Sequence, residues 1–197
     1  WVAGPGKRSV VWVAGCHRRC PGCIKPEWLD FTAGQRVSVG YLADVLNAVE
    51  GSAGVSFSGG EPFEQAAAVA FLAKMVRQTG RTVLVYTGYR HELLAERRVE
   101  GIQELLRQTD ILIDGEYRAE LRDAGGWRGS SNQRIIPLTA AGAKALEADR
   151  CKPRGDVQLV VTDQTVRITG CPDHSFLDRM IAELGSRGVT LRGVANR

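Results

Sequence analysis

Short apolar runs alternate with longer amphipathic ones along this chain. Residues 9–13 are rich in β-branched side chains and predict a strand. Residues 41–49 carry apolar side chains at helical spacing. Residues 54–57 predict a short buried strand ending in the turn SGGEP, and the alanine-rich residues 64–78 predict a helix. A strand over 81–86, a helix over 92–107 and a strand over 109–114 (TDILID) follow. After a glycine-rich loop at 125–131 come a strand over 134–138 and a short helix over 140–148. The segments DVQLVVT and VRITG predict a strand pair, residues 176–184 a helix and residues 189–192 a last strand. No internal repeat or low-complexity linker interrupts the pattern.

Strands alternating with helices through short loops predict an α/β fold with a mostly parallel sheet. Such sheets place ligands at the carboxyl ends of their strands. A cysteine-rich loop follows the first predicted strand, SGGEP the second, YTGY the third and DGEY the fourth. These four loops are expected to share one rim and to form one site.

Composition narrows the class. The chain has 197 residues, 44% hydrophobic and 24% charged, as expected for one globular domain. No apolar run approaches the roughly 18–20 residues that cross a bilayer, and no signal peptide is visible. A net charge of +4 falls short of a nucleic-acid-binding signature. Neither nucleic acid nor membrane is expected as a partner. Five cysteines make a poor disulfide framework. Three of them fall within CHRRCPGC at Cys16, Cys20 and Cys23, a metal or redox pattern that suits a reducing cytoplasm. Cys151 and Cys171 lie far away and are expected to be incidental thiols, with hydrogen donation by Cys171 as the alternative.

A structural zinc site wants four ligands in closed geometry. Here only His17, Cys151 or Cys171 could complete the set. A cubane iron–sulfur cluster has four irons, and three thiolates leave one iron open. An open metal position marks a chemical site, and an amino acid could fill it through its amine and carboxylate.

The CxxxCxxC spacing is that of the radical S-adenosylmethionine (SAM) superfamily. With GPG at 4–6, SGGEP at 58–62, VYTGY at 85–89, ILIDGEY at 111–117 and WRGSSNQ at 127–133, the chain resembles the anaerobic ribonucleotide reductase activating proteins and the related pyruvate formate-lyase activating enzymes. The resemblance spans Gly4 to about Ile136. It implies a partial (β/α)6 TIM-like barrel, open on one side. A single domain over 1–197 is expected, with a core at 1–136 and a barrel-completing extension at 137–197.

The resemblance also implies roles. Cys16, Cys20 and Cys23 would ligate a [4Fe–4S] cluster, with SAM on the fourth iron. Ser58, Gly59 and Gly60 would bring backbone to the SAM amino group, where a Cβ would intrude. Glu61 would add charge and orientation, although SGGEP also suits a plain strand-to-helix turn with Pro62 in the first helical turn. Asp114 would lie near the SAM carboxylate and help hold a monovalent cation, or else cap a helix or turn. Thr87 would line the pocket or serve the turn. Ser130, Ser131 and Asn132 would donate to SAM, or bond only their own loop's backbone. Glu116 stands where related activators often show lysine. Gly22 keeps the cluster loop tight. Arg18 and Arg19 would tune the cluster or dock an acidic donor, or lie in a solvated loop. His91 and His174 are expected at the surface or at caps.

The implied reaction is one-electron cleavage of SAM to methionine and a 5′-deoxyadenosyl radical, followed by hydrogen abstraction. The implied acceptor is a glycine of a partner glycyl-radical enzyme, with flavodoxin or ferredoxin as the electron donor. Two other readings stand beside it: radical SAM tailoring of a peptide or small-molecule natural product, and a non-catalytic iron–sulfur or zinc protein.

Overall fold

The computed structural model describes residues 3–122, 127–149, 157–161, 166–170 and 174–188. Five strands form one open sheet: β1 (Arg8–Val13), β2 (Gly54–Gly59), β3 (Thr82–Thr87), β4 (Ile111–Asp114) and β5 (Arg134–Pro137). They lie in the order β1-β2-β3-β4-β5. The first three pairings are parallel, and β4–β5 is antiparallel. The α/β class and the mostly parallel sheet thus match expectation.

Both faces of the sheet are apolar, because the pleat sends alternate side chains to opposite sides. Val55, Phe57, Val83, Val85 and Leu112 pack into the larger core. The helices α1 (Val39–Asn47), α2 (Ala66–Gln78) and α4 (Glu100–Gln108) cover that side. The α2 side chains Val69, Ala70, Leu72, Ala73 and Val76 are buried at helical spacing. Ser38 starts α1 by accepting the Tyr41 N–H at 3.2 Å. On the other face Leu84, Ile111 and Ile113 gather around Trp127. Val10, Trp12, Ser58 and Tyr86 share this second face and line the cavity described below.

Arg8 closes the amino-terminal end of the sheet. Its guanidinium donates to Ser56 Oγ, Thr82 Oγ1 and the carbonyls of Pro5, Val55 and Thr82. Burial still lowers its pKa to about 10. Ser56 in turn donates to the Ala3 carbonyl at 2.6 Å, which fixes the segment leading into β1.

Two expectations change, and the direction of β5, which the sequence left open, is settled. The helix expected over 92–107 is two helices, α3 (His91–Glu96) and α4. The chain leaves α3 in extended geometry at Arg97, and Gln103 Nε2 donates to the Leu94, Ala95 and Arg97 carbonyls that the break exposes. The fifth strand runs antiparallel to β4, with Asp114 opposite Arg134. The six-unit barrel is not formed by the described residues. After α5 (Ala140–Asp149), β6 (Val157–Val161) and β7 (Val166–Gly170) pair antiparallel with each other as a separate sheet. The expected strand pair is therefore present, but it does not extend the main sheet. The last helix, α6, spans His174–Ser186. Cys151, Cys171 and the strand expected over 189–192 lie outside the described residues. Among those described, no helix is long and apolar enough to cross a membrane.

Candidate metal and cofactor site

The carboxyl ends of β1, β2 and β3 converge with the loop after β4 on one cavity of about 390 Å³, a size suited to a small-molecule ligand. Cys16, Cys20 and Cys23 all line it. Cys16 is buried and the other two are half-buried. The loop is set by backbone contacts: Gly15 N–H donates to the Trp28 carbonyl at 2.9 Å, Cys16 N–H to Leu29 at 3.1 Å and Cys23 N–H to Cys20 at 3.1 Å. Gly22 turns the loop at φ +67°.

Burial raises the Cys20 thiol pKa, opposed by a Tyr117 backbone N–H and by Arg18. Burial raises that of Cys23 as well, opposed by a Lys25 backbone N–H. Metal binding at this site would therefore release protons. Among the described residues no three His, Cys, Asp or Glu side chains converge on a point that would hold a single metal ion. His17 does not line the cavity; its ring lies against Phe31 and its Nδ1 is 3.0 Å from Glu64 Oε2. Three thiols around one cavity, with no fourth ligand beside them among the described residues, fit a polynuclear cluster with an open position better than mononuclear zinc.

Ser58, Gly59, Gly60 and Glu61 form the adjoining wall. The glycines answer first to the fold. Gly60 N–H donates to the Val13 carbonyl at 2.7 Å and Glu61 N–H to Gly15 at 2.8 Å. A Cβ on Gly59 would lie 2.4 Å from the Val13 oxygen, and one on Gly60 would lie 2.4 Å from the Gly15 oxygen. The close approach that excludes a side chain is thus made by the chain's own cluster loop.

Glu61 is buried, at 1% exposure. Its Oε1 accepts from Phe63 N–H at 3.1 Å and Thr87 Oγ1–H at 2.9 Å, and its Oε2 accepts from Gly88 N–H at 2.8 Å. Burial pushes its pKa up to about 7, against those hydrogen bonds. Thr87 lines the cavity and also serves its turn, since its Oγ1 accepts the Tyr89 N–H. Glu61 and Thr87 together tie the end of β2 to the end of β3.

The remaining sequence candidates lie elsewhere. Asp114 is fully buried outside the cavity lining. Its Oδ1 accepts from Arg134 Nε at 2.8 Å, and its Oδ2 accepts from Arg134 Nη2 and from the His91 N–H that begins α3. A cation beside Asp114 would face the Arg134 guanidinium, so the capping alternative describes its place. Ser130, Ser131 and Asn132 also lie behind the wall. Ser130 Oγ accepts the Arg118 N–H, Asn132 Nδ2 donates to the Glu116 carbonyl, and Ser131 is exposed. From this block Trp127, Gly129 and Gln133 reach the cavity instead.

Sequence reasoning missed the aromatic walls, Trp12, Trp28, Tyr86, Tyr117 and Trp127. Period-two alternation in β1 and β3 carried the signal for Trp12 and Tyr86, which face away from α1, α2 and α4. It also missed Gly88, where a Cβ would meet the Arg18 side chain at 2.6 Å.

Comparison with known proteins agrees with this geometry. Residues 2–136 match the 4Fe-4S single cluster domain family. The anaerobic ribonucleoside-triphosphate reductase-activating protein of Vibrio cholerae is 34% identical over 147 residues, covering 70% of this chain and 92% of that protein. Its Salmonella typhi counterpart is 32% identical over 146 residues, with the same coverage of both chains. The pyruvate formate-lyase-activating enzyme of Clostridium pasteurianum is 28% identical over 118 residues, covering 57% of this chain and 46% of that enzyme. The matched core carries all three cysteines, the SGGEP wall and the loop after β4. The chain belongs to the 4Fe-4S single cluster domain family and, within it, to the glycyl-radical-enzyme activating enzymes of the radical SAM superfamily.

Proposed function

We propose that this enzyme binds SAM at a [4Fe–4S] cluster and generates a glycyl radical on a partner enzyme. The observation that carries the reading is that three thiols and the Gly59–Gly60 wall face one cavity. The chemistry supplied by the reduced cluster is cleavage of SAM to methionine and a 5′-deoxyadenosyl radical, which takes a hydrogen atom from a glycine of the partner and leaves as 5′-deoxyadenosine.

The chain's own part is binding, orientation and exclusion of water. Cys16, Cys20 and Cys23 would hold the cluster through three of its irons, with SAM at the open position. Ser58, Gly59 and Gly60 offer backbone to the SAM amino group, with Glu61 and Thr87 fixing that wall. Trp12, Tyr86 and Trp127 supply apolar surface against which the nucleoside packs. Asp114, Ser130 and Asn132 act one layer back, by holding β4 and its loop. Residues 137–197 extend the same domain. A flavodoxin or ferredoxin in a reducing cytoplasm is the electron source.

The test is anaerobic. The protein is reconstituted with iron and sulfide, treated with dithionite and SAM, and assayed for 5′-deoxyadenosine by chromatography. The wild type is expected to form product and Cys20→Ala to form none. A wild type that carries the cluster, forms no product and shows no change in its EPR signal on adding SAM would sink the proposal.

A further inference from the structure

Three charged side chains line the cavity: Arg18, Lys25 and Glu61. Glu61 has both carboxylate oxygens engaged by the chain itself. Lys25 Nζ lies 3.6 Å from Glu27 and 5.2 Å from the centre of the Trp12 ring. Arg18 is held differently. Its side chain fills the place where Gly88 lacks a Cβ, and its Cζ lies 5.1 Å over the Tyr89 ring. Its Nη2 is 3.4 Å from Glu116 Oε2. Its Nε is buried and meets no acceptor at hydrogen-bonding geometry, while the guanidinium lies close enough to the Cys20 thiol to pull that group's pKa down against burial.

Nε–H and the neighbouring Nη2–H form one edge of the guanidinium, the edge that receives a carboxylate through two parallel hydrogen bonds. Glu116 touches only the Nη2 end. Its 3.4 Å contact is longer than the roughly 2.7–2.9 Å of a good charge-assisted bond. A buried donor without an acceptor is costly, and the cost is recovered when an acceptor arrives. Stacking on Tyr89 and contact with Gly88 fix the guanidinium in advance, so little rotamer freedom remains to be lost.

We propose that Arg18 is the carboxylate-binding residue of this cavity, that its Nε–H receives the SAM carboxylate, and that Glu116 competes for the same guanidinium. This rests on SAM being the occupant. It makes Arg18 a binding residue and Glu116 a restraint on affinity. The two members of one ion pair then act in opposite directions on the ligand. If the pair served only to hold the cluster loop against the β4 loop, both substitutions would weaken binding.

The test is the SAM affinity of the anaerobically reconstituted full chain, measured by calorimetry for wild type, Arg18→Gln, Arg18→Lys and Glu116→Gln at matched iron content. Arg18→Gln is expected to weaken SAM about tenfold or more. Arg18→Lys keeps the charge but lacks the two-donor edge, and should fall between that variant and wild type. Glu116→Gln is expected to tighten binding about threefold, because it frees the guanidinium and removes a negative neighbour. Unchanged affinity in Arg18→Gln, or unchanged or weakened affinity in Glu116→Gln, would overturn the assignment. Should Arg18→Gln fail to load the cluster, Glu116→Gln decides alone: tightening supports the assignment, and no change or weakening overturns it. A wild type that does not bind SAM would instead remove the function proposed above, and this inference with it.

Discussion

Glu61 and Asp114 are two buried carboxylates at the carboxyl ends of neighbouring parts of one sheet, and they are kept in different ways. Glu61 follows β2, lines the cavity and is held by two backbone N–H groups and the Thr87 hydroxyl, with no cation among its hydrogen-bond partners. Asp114 ends β4, lies outside the cavity lining and is held by Arg134. Arg134 also binds Glu92 through 2.8 and 2.9 Å contacts, and these pull the Glu92 pKa down to about 2. The difference separates two jobs. Dipoles at the β2 end leave a group able to change charge near neutral pH beside the cluster loop. The ion pair at the β4 end locks β4, β5 and the start of α3 together.

The contrast breaks most severely at the glycines that set each end. A Cβ on Gly60 would lie 2.4 Å from the Gly15 oxygen and 2.7 Å from the Trp28 oxygen. Both are backbone atoms of the cluster loop and cannot rotate away. Gly60→Ala is expected to cost about 3 kcal/mol or more and to abolish cluster loading. Gly115, just past β4, has φ +108° but nothing nearer than 3.7 Å to its added Cβ. Gly115→Ala should cost only backbone strain, about 1–2 kcal/mol, and still load iron. Anaerobic urea unfolding and iron content measure both. Equal effects at the two glycines would erase the distinction between the two ends.

The two carboxylates sharpen the same contrast through pH. An unfolded Glu61 loses its proton near 4.5, and the folded one near 7. Between those values the folded state holds one more proton than the unfolded state, so stability falls as pH rises. The contribution is complete below about 4.5 and is lost as pH passes through about 7. It amounts to about 3 kcal/mol at most. Glu61→Gln should flatten this slope across pH 4.5–7. Asp114→Asn should keep the slope and lower stability throughout by about 2 kcal/mol. That is less than a fully buried pair would lose, because Arg134 is partly in water. Urea midpoints across this range decide it. A slope unchanged in Glu61→Gln would mean that Glu61 ionises in the folded state as it does in the unfolded one.

The sequence made the cluster side legible because its signals are local. Cys16, Cys20 and Cys23 sit in eight consecutive residues, and SGGEP directly follows a strand whose burial is visible in its side chains. The β4–β5 side depends on partners distant in sequence. Asp114 reads as a site residue until Arg134, 20 positions on, is seen to hold it. The direction of β5 was not legible, because it rests on the pairing of Asp114 with Arg134 across the sheet. Nor was the break between α3 and α4, because it carries neither glycine nor proline and depends on Gln103 reaching back. Arg18 was legible as a residue between ligands, but not as a cavity wall, because its place depends on Gly88 and Tyr89 in the turn after β3.

The smallest expected effect lies in the GSSNQ block, where Gln133 rather than Ser130, Ser131 or Asn132 lines the cavity. Gln133 lines the cavity; its Oε1 accepts from Gly129 and Ser130 N–H, and its Nε2 donates to the Gly115 carbonyl. Gln133→Ala should cost about 1–2 kcal/mol and weaken SAM several-fold, because the loop that forms the wall loses its clamp. The Ser131 side chain is exposed behind that wall, and only its backbone N–H is used, donating to Leu121 at 2.7 Å. Ser131→Ala should shift stability by less than about 0.5 kcal/mol and leave SAM affinity unchanged. The pair is informative because the two positions are two residues apart and share one loop. If Ser131→Ala weakened SAM while Gln133→Ala did not, the loop would have to reorganise around the ligand. The cavity walls described here would then differ from those that hold SAM.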